Sequence, residues 1–588
     1  MSSIALLQLD PTVGDLVHNA RRLEGLVELA VEHGATVGIS TELAVCGYPP
    51  RDLLLEHDFV QRSMHVALGI KSPIPLLVGT PLPADDPRSL PTNGVVRCGP
   101  EYNDRSDNPQ GRVVAEKQLL PTYDVFDEAR YFAAKNRSGL ARSFGSLNLG
   151  VTVCEDAWQS AGLTPSAYAQ DPIEHLAEWT RQGVEMNATV NLSASPFHTE
   201  KFTTRLHVAR HAASVLGHPF LLANQVGGND DLLFDGRSLV AWPDGRAIVA
   251  PSWREGVLIV DLDGPEGCRW LDSRASDGLS IGPAEVLVLS AEESGHERID
   301  VLDELTDAVV TGLADYCRKS NITSIVLGLS GGIDSAVAAC VACAAIGPSN
   351  VTGLSMPSRH SSQHSIDDAE HTASALGMGY ELHRIDGMHQ SVEATLGDVL
   401  ENGHPVAGEN LQARLRALLV MGYANARSSM AISTGNKSEI AQGYCTLYGD
   451  MAGGYAPLGD VYKMDVYAMA ERFNRRAAQG DLPPPVSAST LTKPPSAELA
   501  PDQVDADSLP PYDVLDAVLQ AHIERGMNAD EMVAEGFDEP LVMDVLSRLE
   551  RNEHKRWQMA PAPRVSSRAF GQGWRRPLAS RHDWRGSA

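Results

Sequence analysis

A short serine- and glycine-rich segment, Ser330-Gly-Gly-Ile-Asp-Ser335, stands between an apolar run and a stretch of small helix-forming residues. This order predicts a strand, a tight loop and a helix. Backbone N–H groups at a helix N-terminus bind anions, and glycines let the chain approach a ligand closely. Ser330 and Ser335 add hydroxyl donors, and the Asp334 carboxylate suits a magnesium ion. The segment predicts phosphate chemistry, with a tight turn capped by serines as the alternative.

A cysteine with two chemical helpers marks the first half of the chain. Cys154 ends the apolar run 149–153, where an α/β sheet presents side chains to a cleft. A thiol needs a base or a favourable field to become a nucleophile, and Cys154 taken alone is more often a small buried residue. Glu42 follows another apolar run and suits the role of base; Lys117 suits the role of oxyanion donor.

The bulk properties indicate a soluble protein of several domains. Its 588 residues carry 48 Lys and Arg against 76 Asp and Glu, a net charge of −28 that disfavours nucleic acid or an anionic membrane as partner. We expect no membrane span, no signal peptide and a cytoplasmic location, and the eight scattered cysteines fit a reducing compartment. Alternating apolar runs and helical segments predict an α/β chain with domains at 1–270 and 298–588 and a linker at 271–297.

Residues 1–265 resemble the nitrilase superfamily in the contexts of Glu42, Lys117 and Cys154. The resemblance implies a four-layer α-β-β-α sandwich, with Glu128 as a second carboxylate that orients Lys117 or the substrate; a solvated salt bridge is the alternative for Glu128. Thr41 stands where relatives usually carry proline. The segments 191–197 and 224–236 are similar to glutaminase domains of glutamine-dependent NAD synthetases. This implies glutamine as substrate, gripped by Tyr123, Ser193 and Ser195.

The phosphate segment lacks the lysine of the Walker-type loop and resembles the pyrophosphate loop of the ATP pyrophosphatase families. Later segments are similar to the ammonia-consuming domain of NAD synthetases, which implies a doubly wound parallel sheet of the adenine nucleotide α-hydrolase-like type. Arg414 and Arg416 suit binding of dinucleotide phosphates, and the alternative is that they form a solvated basic helix face. His360 and His364 could bind zinc only with further ligands, which the sequence does not show.

The same resemblance implies a set of binding residues in the second half of the chain. The implied ATP-binding residues are Leu329, Ser330, Gly331, Gly332, Asp334, Ser335, Arg359, Thr434 and Lys463. The implied residues for deamido-NAD are Asn410, Arg414, Arg416, Glu439, Asp450 and Lys493. Asp334 and Glu439 are the implied magnesium ligands, and Lys493 with Asp505 lies in a segment expected to close over the substrate.

The implied reaction converts deamido-NAD, ATP and glutamine to NAD, AMP, pyrophosphate and glutamate. Magnesium is the expected cofactor, ATP a co-substrate, and the expected partners are small molecules and further copies of the chain. We also predict an enclosed passage for ammonia, because two chemically separate sites share one chain. Rivals are another pyrophosphate-loop amidotransferase, such as a GMP or asparagine synthetase, and an amide hydrolase whose second half only senses nucleotide.

Overall fold

The computed structural model describes residues 3–86, 88–100, 112–135, 139–144, 146–273, 285–404, 406–496, 498–500 and 503–580. It divides into two compact units, residues 1–300 and 301–588, called here the first and second unit. All eight cysteines are free thiols. Within the described ranges, no helix combines the length and the apolar character needed to cross a membrane.

Two seven-stranded sheets form the centre of the first unit. The strands of this unit are β1 (Ser3–Gln8), β2 (Val37–Ile39), β3 (Leu76–Leu82), β4 (Thr92–Cys98), β5 (Val113–Glu116), β6 (Gly139–Phe144), β7 (Leu147–Val153), β8 (Ala188–Ser193), β9 (Phe220–Asn224), β10 (Val226–Asn229), β11 (Leu232–Asp235), β12 (Leu239–Ala241), β13 (Ala247–Val249), β14 (Gly256–Asp261), β15 (Arg269–Asp272) and β16 (Leu287–Leu289). One sheet has the order β15-β14-β1-β2-β3-β4-β5, the other the order β16-β13-β12-β9-β8-β7-β6, and β10 and β11 form a hairpin.

Helices cover the outer face of each sheet. They are α1 (Leu16–Glu32), α2 (His57–Gly69), α3 (Pro172–Arg181) and α4 (Lys201–Leu216). Three apolar layers result: α1 and α2 pack on one sheet, the inner faces of the two sheets pack together, and α3 and α4 pack on the other sheet. This arrangement confirms the predicted α-β-β-α sandwich.

The expected linker at 271–297 is partly strand. Residues 287–289 form β16, which pairs antiparallel with β13, and Leu289 is fully buried. Strand β15 also extends to Asp272. The Ser-, Gly- and Glu-rich composition did not indicate these strands, because they are stabilised by pairing with strands elsewhere in the sequence. Residues 274–284 of the expected linker lie outside the described residues.

The second unit contains a four-stranded parallel sheet of order β19-β18-β17-β20. Its strands are β17 (Ile325–Gly328), β18 (Val351–Ser355), β19 (Gly379–Leu382) and β20 (Met430–Ile432). Its helices are α5 (Val301–Lys319), α6 (Ile333–Ile346), α7 (Gln363–Leu376), α8 (Asp386–Leu396), α9 (Asp398–Glu401), α10 (Val406–Arg427), α11 (Lys437–Gln442), α12 (Lys463–Gln479), α13 (Ala488–Thr492), α14 (Tyr512–Ile523), α15 (Ala529–Ala534), α16 (Glu539–Arg551) and α17 (Glu553–Arg556).

The strand order confirms the predicted doubly wound fold. The chain runs outward from β17 to β19 and returns to place β20 on the other side of β17, so the direction of winding reverses there. Ligands of open α/β sheets bind beyond the carboxyl ends of the strands at such a switch point. The loop after β17 is the phosphate segment, and the loop after β20 begins at Ser433.

Candidate active sites

Cys154 lies at the carboxyl end of β7, in a short 3-10 turn formed by Cys154–Ala157. Its φ angle is 44°, in the left-handed region that side chains other than glycine rarely adopt. Strain of this kind costs on the order of 1–3 kcal/mol and persists only where the surroundings enforce it. The sequence indicated the strand end but not the strained turn that presents the thiol.

Lys117 is the centre of a buried charge cluster in the same unit. Its Nζ atom donates to Oε1 of Glu42 at 2.8 Å and to Oε1 of Glu128 at 2.7 Å, and none of the lysine surface is exposed. The hydroxyl of Tyr48 also donates to Glu128, at 2.9 Å. The structure thus brings the three predicted polar residues together, and the contact of Glu128 with Lys117 is buried rather than solvated.

Glu42 is held by neighbours on several strands. The side chain of Asn93 donates to its Oε1 atom at 2.7 Å, and the backbone N–H of Ala194 donates to Oε2 at 3.1 Å. Gly79 lies so close that a Cβ atom there would clash with the backbone of the Glu42 turn. The carboxylate therefore has a fixed position, as a catalytic base requires.

The electrostatics keep the resting thiol protonated and the lysine charged. Burial and the nearby Glu42 raise the pKa of Cys154 well above its ordinary value, whereas Lys117 acts to lower it. Burial alone lowers the pKa of Lys117, but Glu128 and Glu42 outweigh it and the pKa ends well above its usual range. Burial raises the pKa of Glu128 to about 7, opposed by Lys117. A thiol with a raised pKa must pass its proton to a base before it can act as a nucleophile.

Glu155, next to the thiol, was missed as a functional residue by sequence reasoning. The hydroxyl of Tyr123 donates to its two carboxylate oxygens at 2.9 and 3.1 Å, and the hydroxyl of Tyr168 donates at 3.3 Å. Lys201 lies close enough to act on the pKa of Glu155, with its Nζ atom 4.3 Å from the centre of the Trp158 ring. A carboxylate next to the thiol, with an ammonium close to that carboxylate, is complementary to the two charged groups of an amino acid.

The predicted serines of this site differ in their contacts. The hydroxyl of Ser193 donates to Asn191 at 2.5 Å, and its carbonyl accepts the backbone N–H of Glu42. The backbone N–H of Ser195 donates to the side chain of Asn224 at 2.9 Å. Both serines are buried. Ser193 therefore supports the position of Glu42, while Tyr123 contacts Glu155.

The phosphate segment of the second unit forms the predicted strand–loop–helix. Gly331 has a φ angle of 79°, and a Cβ atom there would clash with the carbonyl oxygen of Ser365, so the tight turn requires glycine. The Ser335 hydroxyl donates to the carbonyl of Gly332 at 2.9 Å, and the Ser330 hydroxyl accepts the N–H of Gly332 at 3.1 Å. These hydrogen bonds fix the conformation of the loop at the N-terminus of α6.

A cavity of about 310 Å³ lies over this loop. Predicted residues that line it are Leu329, Ser330, Gly332, Asp334, Ser335, Arg416, Thr434, Glu439, Asp450, Lys463, Lys493 and Asp505. Its size fits a nucleotide-scale ligand. Four predicted residues are not part of the lining: Gly331, Arg359, Asn410 and Arg414.

Three of these residues, Arg359, Asn410 and Arg414, have contacts elsewhere. The Arg359 guanidinium is half-exposed and forms an ion pair with Glu393. The side-chain oxygen of Asn410 accepts from the Thr446 hydroxyl at 2.7 Å, and Nε of Arg414 donates to the carbonyl of Leu447 at 3.2 Å. Asn410 and Arg414 thus support the loop that leads to Asp450. The sequence predicted a helix for Arg414, and α10 contains both Asn410 and Arg414, but the pattern did not show which face of the helix meets the cavity.

Lys463 repeats the arrangement of Lys117. Its Nζ atom donates to Oδ2 of Asp334 at 2.5 Å and to Oε1 of Glu439 at 2.8 Å. Burial raises the pKa of Glu439 to about 7, opposed by Lys463, while Asp334 and Glu439 together raise the pKa of Lys463 against the effect of burial. The lysine therefore pairs with the predicted metal ligands.

The oxygen donors at this place fit a magnesium ion. The side chain of Asn436 donates to the second oxygen of Asp334 at 2.8 Å. Within the described part of the chain, Oδ1 of the buried Asp505 has no hydrogen-bond partner. Among the residues that the structure describes, no three acidic, histidine or cysteine side chains form a ready metal cluster. Magnesium commonly uses one or two carboxylates together with substrate phosphates and water, and the donor set agrees with that mode.

Comparisons with known proteins match each of the two units to a known family. The model of the carbon-nitrogen hydrolase family matches residues 108–268, and the model of the NAD synthase family matches residues 305–559. The chain is 38% identical to the glutamine-dependent NAD(+) synthetase of Synechocystis sp. over 597 residues, covering 100% of both, and 36% identical to that of Thermotoga maritima, covering 98% of both. A glutamine-dependent NAD+ synthetase from Acinetobacter baumannii, solved with adenosine diphosphate, is 31% identical over 98% of both chains with a TM-score of 0.70. The chain belongs to the family of glutamine-dependent NAD(+) synthetases.

Proposed function

We propose that the chain hydrolyses glutamine in its first unit and uses the ammonia to amidate deamido-NAD in its second unit, with ATP cleaved to AMP and pyrophosphate. The observation that carries this proposal is that one chain contains both sites. The first has a cysteine on a strained backbone turn together with a buried lysine–carboxylate cluster, and the second has a phosphate loop together with another such cluster. The full-length relatives support the pairing of the two reactions.

In the first unit, Glu42 takes the proton of Cys154 as the sulfur attacks the amide carbon of glutamine. Lys117 donates to the oxygen that becomes negative in the tetrahedral intermediate. The proton then passes to the departing nitrogen, which leaves as ammonia, and Glu42 activates a water that hydrolyses the thioester to glutamate. Glu128 keeps Lys117 charged and in position.

The polar groups around Cys154 suit glutamine better than a simple amide. We assign the α-ammonium group of glutamine to Glu155, whose carboxylate is presented by Tyr123 and Tyr168. Lys201 supplies the positive charge for the α-carboxylate. Ser195 lies beside the pocket as a further polar contact. An amide without the two charged groups would lose these interactions, so glutamine is the favoured nitrogen donor.

In the second unit, a carboxylate oxygen of deamido-NAD attacks the α-phosphorus of ATP, and pyrophosphate leaves. Phosphate binding is assigned to the loop at 330–335, at the N-terminus of α6, and to the ammonium of Lys463. Magnesium held by Asp334 and Glu439 would supply further positive charge for the leaving pyrophosphate. Ammonia then attacks the carbonyl of the mixed anhydride, and AMP leaves with its bonding electrons. Arg416, Asp450 and Lys493 line the remainder of the cavity and are assigned to the dinucleotide.

The test separates the two reactions in one protein. A Cys154→Ala variant should lose synthesis driven by glutamine and keep synthesis driven by ammonium, with one AMP and one pyrophosphate formed for each NAD. The wild type is the control for both donors. Loss of both activities to the same degree would contradict the division of labour, and formation of ADP and orthophosphate would contradict adenylation. A chain that only senses nucleotide would release no pyrophosphate with deamido-NAD.

An enclosed ammonia passage, association of several copies and a cytoplasmic location stay predictions from the sequence. The passage predicts that an external ammonia-consuming enzyme competes poorly for the nitrogen released from glutamine. Light scattering after size-exclusion chromatography tests the association.

A further inference from the structure

Asp156 is a buried carboxylate in the first unit that takes no part in the chemistry described above. It lies two residues after the nucleophile and is 1% exposed. Its Oδ1 atom accepts the backbone N–H groups of Gln118 at 3.0 Å and Leu119 at 2.9 Å. Its Oδ2 atom accepts the backbone N–H of Val153 at 3.0 Å. All three donors are main-chain groups.

The three donors lie next to the proposed catalytic residues in the sequence. Gln118 and Leu119 directly follow Lys117, the donor to the oxyanion, and Val153 directly precedes Cys154. One carboxylate therefore joins the segment that carries the lysine to the strand end that carries the thiol. The contact with Val153 also closes the short turn in which Cys154 holds its φ angle of 44°.

Burial of the Asp156 carboxylate is unfavourable, so its presence at this position needs an explanation. Burial raises the pKa of Asp156 to about 7, and the N–H contacts oppose that effect. An uncharged side chain of similar size would avoid the cost of burial but has fewer acceptor sites than a carboxylate, which offers about four. Only a carboxylate accepts from both segments through different oxygens, so the cost is offset by geometry that a neutral group does not provide.

We propose that Asp156 is a positioning residue for glutamine hydrolysis, which sets the distance between the nucleophilic sulfur of Cys154 and the ammonium of Lys117. The proposal rests on the proposed function of this site and adds to it a residue that touches neither substrate nor reacting atoms. Its neighbour Glu155 is instead assigned to substrate binding, because it is proposed to contact the α-ammonium group of glutamine. Two consecutive carboxylates thus act on different kinetic parameters: Asp156 on turnover and Glu155 on binding.

The experiment compares Asp156→Asn with Glu155→Gln, both of which keep the size of the side chain. An asparagine has one acceptor oxygen and an NH2 group, so it keeps the contact with one segment and turns donors toward the other. We expect kcat for glutamine hydrolysis to fall about 100-fold in Asp156→Asn, as for a misplacement of about 1 Å, with KM for glutamine within about threefold of wild type. In Glu155→Gln we expect KM to rise about tenfold or more, because a contact with a charged group is lost.

The controls distinguish failure of this proposal from failure of the proposed function. Synthesis driven by ammonium should be unchanged in both variants, since they alter only the first unit. An Asp156→Asn enzyme with wild-type kcat, or with KM and kcat changed to the same degree, would overturn the positioning role. Absence of glutaminase activity in the wild type would instead overturn the proposed function.

A measurement on the wild type covers the case in which Asp156→Asn does not fold. The backbone N–H groups of residues 118, 119 and 153 are expected to exchange with deuterium as slowly as those in the centres of β7 and β8, because their acceptor is buried. Fast exchange at these three amides, with slow exchange in the two strands, would overturn the proposal.

Discussion

Replacing Lys117 by methionine should destabilise the first unit in a manner that depends strongly on pH. The substitution keeps an unbranched side chain of similar length in the fully buried space and removes only the cation. Glu42 and Glu128 then lose the ammonium that lies 2.8 and 2.7 Å from their oxygens. Removing one partner of a buried ion pair typically costs about 3–5 kcal/mol.

Proton uptake gives an independent magnitude. The variant can relieve its excess negative charge if one further carboxylate binds a proton. Protonating a glutamate of ordinary pKa costs about 1.4 kcal/mol for each pH unit above about 4.3, which amounts to about 4 kcal/mol at pH 7.5 and less than about 2 kcal/mol at pH 5.5. The two magnitudes agree at neutral pH. They correspond to a fall in Tm of roughly 8 °C at pH 7.5 and about half of that at pH 5.5.

The assay is scanning calorimetry at the two pH values. The transition of the second unit is identified by the temperature at which ammonium-driven synthesis is lost, since a chain of two units does not unfold in a single step. Lys117→Met/Glu128→Gln should recover part of the loss, because it removes one of the two carboxylates. Lys71→Met, at an exposed lysine, is the surface control. A fall in Tm that is equal at both pH values, or below about 2 °C at pH 7.5, would refute the reasoning.

Two further predictions follow from the geometry of the sites. Gly331→Ala should lower ammonium-driven synthesis about 100-fold and leave glutamine hydrolysis unchanged, because the added Cβ clashes with the Ser365 carbonyl and displaces the phosphate loop; an equal loss of both activities would contradict it. Burial raises the pKa of Glu128 from about 4.5 to about 7, so the folded unit keeps a proton that the unfolded chain releases. The associated stability is present below about pH 4.5 and is lost as the pH rises through 7. The Tm of the wild type should therefore fall more between pH 5 and pH 8 than that of Glu128→Gln, and parallel curves would argue against the raised pKa.

The sequence was informative where local pattern and chemistry coincide. The apolar run, the two glycines and the small-residue helix around Ser330 specify a strand–loop–helix without reference to distant residues. Strand β16 is different, because Leu287–Leu289 is held by β13 some forty residues earlier. Helices α15 and α16 are separated at Gly536, whose φ angle of 103° lies in a region that favours glycine. Helix α13 forms between Pro485 and Pro494, and its short length agrees with the prolines on either side.

The same limit of sequence-based prediction applies to the candidate sites. The residue types of Glu42, Lys117 and Cys154 indicated a candidate thiol site, whereas the consecutive carboxylates Glu155 and Asp156 are indistinguishable in a sequence. Their proposed roles differ because one side chain meets two tyrosine hydroxyls and the other meets three backbone N–H groups. Such a difference depends on which way each side chain leaves a 3-10 turn, and no short-range pattern records that direction.

Both units bury a lysine between two carboxylates from other parts of the chain. The pairs are Glu42 and Glu128 around Lys117, and Asp334 and Glu439 around Lys463. A buried lysine alone tends to lose its proton, and a neutral amine stabilises developing negative charge poorly. In both clusters the carboxylates raise the pKa of the lysine enough to overcome burial. In the proposed mechanism the carboxylates therefore act twice in each site. Each pair keeps an ammonium charged where the mechanism places an oxyanion or a phosphate. Glu42 is in addition the proposed base for the thiol, and Asp334 and Glu439 are the proposed oxygen ligands for a metal ion.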